Sequence, residues 1–194
     1  MFASGAAFIE HIIRWSCNLQ KKIAGASSAM PKANRKLREH FIAVAELTMP
    51  EPKAAYAYWL AKKGTRPFPS RSDIQPTEIP KLLPYITLLD VIHEEPVDYR
   101  FRIEGDTVER VIGYRRMGRR LSELTSTLGP AYESAYRHFD EARKAAAPLA
   151  YRSQLTGVGR GLFEVEKLIV PLSNDGKRVD QLLRCIGILR QPTG

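Results

Sequence analysis

The chain has 194 residues, 44% of them hydrophobic and 26% charged, enough to bury one core and unlike a disordered tract or a multidomain chain. No apolar run approaches the ~20 residues of a membrane-crossing helix, and Cys17 and Cys185 stand far apart with no CxxC motif or nearby histidine. That excludes a disulfide framework and a zinc knot and predicts two free thiols. A net charge of +9 leaves open attraction to nucleic acid, acidic lipid headgroups or an acidic protein, although a solvated basic surface needs no partner.

Residues 6–23 carry Phe8, Ile9, Ile12, Ile13, Trp15, Leu19 and Ile23 at helical spacing, with Lys21 and Lys22 at the far end. Such a helix can lie on a membrane surface, pack on its own domain, or belong to a start codon placed too early, Met30 and Met49 being alternative starts. Glu10, His11 and Arg14 interrupt it as a signal-peptide core, so the expected location is cytoplasmic. Small residues from Gly25 to Pro31 read as a linker. Leu37, Phe41, Val44 and Thr48, widened by Ile42 and Leu47, predict a second helix ended by Pro50 and Pro52. Tyr56, Tyr58, Trp59 and Leu60 then begin a short helix closed by Gly64. The expected division is a helical, partly flexible extension over 1–50 and a domain over 51–194.

Five prolines between Arg66 and Pro84 limit helices there to single turns, which Asp73 or Thr77 is placed to cap. Arg71 and Asp73 therefore read as structural rather than as a catalytic pair. Tyr85 to His93 predicts a strand, and Glu94-Glu95-Pro96 turns it into a second, where Tyr99, Phe101 and Ile103 alternate with Arg100, Arg102 and Glu104. Gly105 and Asp106 stop that strand. Val108, Val111 and Ile112 then lie at helical spacing, and Gly113 and Gly118 bracket the basic run 114–117. Pro130 suits a first helical turn, and Ala131, Tyr132, Ala135, Tyr136, Phe139, Ala142 and Ala146 give the best helix in the chain, ended by Pro148. Three strands follow over 149–156, 162–172 and 179–189, the last two joined by the hairpin signal Asn174-Asp175-Gly176. Leu168 to Val170 is apolar without a break, as where both faces of a strand are covered.

No catalytic constellation emerges. There is no Gly-x-Ser-x-Gly elbow, P-loop, GxGxxG or HExxH, and His11, His40, His93 and His138 are isolated. No RNP, KH or zinc-finger signature accompanies the basic charge. The chain reads as a non-enzyme.

The strand followed by short helices ending in IGY (112–114) and then GRRLSEL (118–124) resembles the core of a PAS domain. The flanks are similar to one bacterial PAS subgroup: Tyr58-Trp59, PSRSDIQPTEIPKLLP (69–84), and Glu166 before LIVPLSNDG (168–176). The resemblance spans roughly Pro52 to Arg190. It implies an α+β fold, with an antiparallel five-stranded sheet carrying helices on one face, and a sensory or regulatory module that binds a small ligand or a protein partner. It also makes the helix before the domain a candidate homodimer contact, beside the alternative of packing on its own sheet.

A PAS ligand would lie between the long helix and the sheet, so Tyr99, Phe101 and Ile103 of the strand and Tyr136 and Phe139 of the helix are the candidate ligand-binding residues. His138 is the one histidine on that helix, where haem-containing members place an axial ligand, but a helical wheel sets it at the edge beside Arg137 and Glu141, partly exposed. The flavin-binding members' reactive cysteine has no counterpart in the short helices. No metal site is expected, and the cofactor is unspecified. Arg115, Arg116, Arg119 and Arg120, four arginines in six residues, are candidates for contact with an anion or a partner, or simply a solvated loop. The alternative function is a basic protein binding nucleic acid or a membrane surface through residues 1–50.

Overall fold

The computed structural model describes residues 39–157 and 161–190. The β-rich runs pair into one antiparallel sheet: β1 (His40–Ile42), β2 (Ile86–Ile92), β3 (Asp98–Glu104), β4 (Leu149–Gly157), β5 (Gly161–Leu172) and β6 (Gln181–Arg190). Their spatial order is β1-β4-β5-β6-β2-β3. The α-helices among the described residues are α1 (Pro50–Lys63), α2 (Asp106–Ile112), α3 (Thr125–Leu128) and α4 (Ala131–Ala145). The α+β class and the order strand, strand, short helices, long helix, three strands are those expected. No helix among these is long and apolar enough to cross a membrane. The expected helix over 6–23, the linker after it and Cys17 lie outside the described residues, whereas Cys185 is a buried free thiol.

The sheet differs from five strands with helices on one face in two respects. The first is β1, in the stretch whose spacing predicts a helix. His40, Phe41 and Ile42 pair with Arg152, Tyr151 and Ala150 of β4. Three residues are too few for spacing to separate a helix from a strand, and the backbone of β4 offers an edge that a strand can close. The alternation is visible in the packing: Ile42 joins one core cluster and Phe41 packs against the other. The remainder of the predicted helix is a single 3-10 turn at Val44–Glu46. Residues 39–49 therefore pack with the sheet, on the domain side of a boundary expected near residue 51.

The second difference is that both faces are covered. Pro50 and Pro52 open α1 instead of ending an earlier helix, since a first helical turn has no use for the missing N–H. Trp59 of α1 is buried in one face and donates its indole N–H to the Pro171 carbonyl at 2.8 Å. Leu168, Val170 and Leu172 of β5 meet α1 and the proline-rich segment, while Ile169 between them turns to the opposite cluster with Phe139 and Ala142 of α4. Two covered faces explain the unbroken apolar run. In the proline-rich segment Asp73 accepts from the backbone N–H and hydroxyl of Ser70 and pairs with Arg66, while Arg71 donates to the Ile74 carbonyl. Both side chains have local structural work. Gly105 joins β3 to α2 where any Cβ would strike the carbonyl oxygens of Leu83 and Pro84, which fixes the α2 end of the sheet against that segment.

Candidate functional site

The face of the sheet beneath α4 is where the aromatic side chains converge. Tyr99, Phe101 and Phe139 are fully buried, with ring centroids 5.4 Å apart for Tyr99–Phe139 and 6.4 Å for Phe101–Phe139. Tyr136, partly buried, sits edge-on to Tyr99 at 5.8 Å. Both phenols have protein partners: Tyr136 donates to the Val97 carbonyl at 3.1 Å and Tyr99 to Asp140 at 3.3 Å. Desolvation pushes the Tyr99 phenol well above its ordinary pKa. Four of the five predicted residues thus come together.

Ile103 does not. A β-bulge puts Phe101 opposite Leu89 but Ile103 opposite Leu88, whose side chain belongs to the α1 face. The extra residue breaks the period-two alternation, and Ile103 is 39% exposed.

The four arginines also diverge. Arg116 is buried, ion-paired to Glu104, with its guanidinium 4.4 Å from the Phe101 ring centroid. Its neighbours face outward: Arg120 pairs with Glu94 at 2.8 Å, Arg119 donates to the Glu123 carbonyl, and Arg115 is exposed. Adjacent glycines free the loop to turn, and one arginine uses that freedom to enter the interior.

Two further cations lie on this face that spacing did not single out. Lys167 of β5 and Arg184 of β6 are each only 5% exposed. Lys167 makes no hydrogen bond or ion pair among the described residues; its ammonium stands 5.1 Å from the Tyr151 ring centroid. Arg184 donates from Nη2 to Thr87 at 2.9 Å, lies 5.7 Å from the Phe139 centroid, and leaves Nε buried without a partner among the described residues. Burial lowers Lys167 to about 7 and Arg184 to about 10; nearby cations push the same way, and Glu39 on Lys167 and Tyr151 and Glu104 on Arg184 oppose them without cancelling the shift. The signal in the sequence was a charge inside each apolar strand, Lys167 before LIV and Arg184 within LLRCIGIL.

Replacing Lys167 with methionine is therefore expected to stabilise the folded chain at neutral pH by roughly 1–4 kcal/mol, as when a buried ion gives way to an apolar side chain. The folded pKa is depressed, so the unfolded chain binds more protons between about 7 and the ordinary lysine value. Wild-type stability should rise across that window and the variant's should rise less, which urea unfolding at several pH values checks.

His138 is also inside rather than at the helix edge, 2% exposed. Its ring lies 4.0 Å from that of Tyr151 and 5.5 Å from that of Phe41, and Nε2 is 3.6 Å from the Glu39 carboxylate, with no hydrogen bond among the described residues. Glu39 instead accepts from Ser134 and Arg137. Desolvation, then Lys167, Arg137 and Arg184, hold the imidazole down at about 3. Stability from this neutral form is complete above the ordinary histidine range and lost as pH falls toward the folded value. His138→Phe should accordingly lose less stability than wild type on acidification, measured by denaturant midpoints along the acid limb.

On the α1 face Glu166, fully buried, accepts from the backbone N–H groups of Thr48 and Met49, both at 2.8 Å, and from Arg152 at 3.1 Å. It is a latch between β5 and the segment entering α1.

A family model described as a PAS domain matches residues 47–189. No curated protein matches the chain. Among solved structures, one titled "Structure of an RNA-binding Light-Oxygen-Voltage Receptor" aligns at 17% identity and a TM-score of 0.42, over 82% of this chain and 40% of that one.

Proposed function

The chain belongs to the PAS domain family, and from that premise we propose that it is a cytoplasmic, non-catalytic sensory or regulatory module that takes a small ligand between α4 and the sheet. The observation that carries this reading is a concentration of unsatisfied polar groups on one buried face. Arg184 Nε, His138 Nε2, the Ser153 hydroxyl and the Tyr114 hydroxyl have no hydrogen-bond partner among the described residues. Buried polar atoms are almost always satisfied, and a desolvated group left alone costs about 1–3 kcal/mol. A ligand entering beside them supplies the missing partners.

The signal would pass to a partner protein or a second copy of the chain. The dimer contact expected in the stretch before α1 is a weaker candidate, because Ile42 and Leu47 are buried in the chain's own core. Native mass spectrometry of the full chain, with absorbance across the near-ultraviolet and visible, tests the reading. A small-molecule adduct released on denaturation is expected. An unliganded mass together with no thermal shift across a library of charged and neutral metabolites would overturn it.

A further inference from the structure

Lys167 and Arg184 sit on neighbouring antiparallel strands in a register that brings them together. Lys167 pairs with Ile186, and Arg184 pairs with Ile169. They are therefore diagonal neighbours on one face, a relation that places such residues about 7–8 Å apart. Both side chains are long enough to reach one small group from that backbone spacing.

No carboxylate among the described residues is ion-paired with either, although Glu39 favours the charged form of Lys167 and Glu104 that of Arg184 from a distance. Glu104 is bound to Arg116, and Glu39 to Ser134 and Arg137. Two like charges removed from water without a direct ion-pair partner are a standing electrostatic penalty, and an anion converts the same groups into strong partners. The free donors also have a shape. With Nη2 committed to Thr87, Arg184 still offers Nε, and the Lys167 ammonium, whose one contact among the described residues is the Tyr151 ring, has donors to give. Arginine and lysine together recognise a carboxylate through charge-assisted hydrogen bonds. The rings of Tyr151 and Phe139 beside these cations make the surroundings apolar, which suits a carboxylate carried on an apolar body.

We infer that the ligand is a small organic carboxylate, its acidic group seated between Lys167 and Arg184. This rests on the proposed reading of the interior as a ligand site and specifies its chemistry.

The test uses the full chain at constant ionic strength, with benzoate, its neutral isostere benzamide, succinate and inorganic phosphate as probes, followed by calorimetry and thermal shift. Benzoate or succinate should bind and raise the melting temperature, benzamide should bind roughly tenfold more weakly or not at all, and Lys167→Met and Arg184→Met should each weaken the carboxylate by roughly tenfold or more. Should either variant fail to fold, the wild type still decides. Carboxylate affinity should fall as pH rises through the Lys167 titration, and a flat profile counts against the inference. Equal or tighter binding of benzamide, a response to phosphate alone, or carboxylate affinity unchanged in both folded variants overturns the carboxylate while leaving a ligand site. Binding of no probe, together with an unliganded native mass, removes both.

Discussion

Glu166→Ala is expected to cost about 3–5 kcal/mol, the range for removing one partner of a buried charged network. Four donors converge on this fully buried carboxylate: two backbone N–H groups, the Thr48 hydroxyl at 3.0 Å and the Arg152 guanidinium. Alanine leaves all of them without it, and the backbone donors of Thr48 and Met49 cannot turn to water without lifting the entry to α1. Burial alone would raise the Glu166 pKa, but the backbone N–H groups, the hydroxyl and Arg152 outweigh it and lower it. Its stabilisation is thus present above the ordinary glutamate range and lost as pH falls through the folded value. Urea unfolding of the full chain checks this, and a loss below about 1 kcal/mol, as at an exposed pair, would contradict it. The same latch predicts that a chain beginning at Glu51 is destabilised, because it lacks β1, Leu47 and both backbone donors.

Phe101→Ala should cost about 3–5 kcal/mol, from lost transfer energy and an unfilled cavity. Phe101 is fully buried, touches Phe139 edge-on and lies under the Arg116 guanidinium. Truncation would strip one side from the buried Arg116–Glu104 pair as well as open a void. The loss should appear in protein freed of small molecules, because side chains of the protein itself pack against this ring. A change of under about 1 kcal/mol would mean that this end of the interior is loosely filled, and would move the ligand site toward β3.

Much of this architecture was legible because strand and helix periods are clean where one face is buried. Tyr99 and Phe101 alternate inward as read, and Phe139 and Ala142 lie on the buried stripe of α4. The departures have local causes. A bulge turns Ile103 away, and Pro50 and Pro52 start a helix as readily as they stop one. A helical wheel set His138 at an edge because it counts polar neighbours along the helix and cannot see β1, whose Phe41 covers that flank. Lys167 and Arg184 escaped notice for the opposite reason: the strands around them are so apolar that their period carries no information. Only the register of β5 on β6 shows that these two charges share a face. The arginine cluster misled by composition, since one of four arginines is buried and the other three are not.

The claim that this interior holds buried positive charge without an ion-pair partner, ready for an anionic ligand, is tested most directly by following the lysine side chains of the full chain by carbon-13 NMR through a pH titration, with and without benzoate. One lysine, assigned by its loss in Lys167→Met, should titrate near the folded value of about 7 in the free protein and shift upward when benzoate supplies the missing charge. Titration of every lysine in the ordinary range, about 10.4, or a Lys167 value that benzoate leaves unmoved, would contradict it.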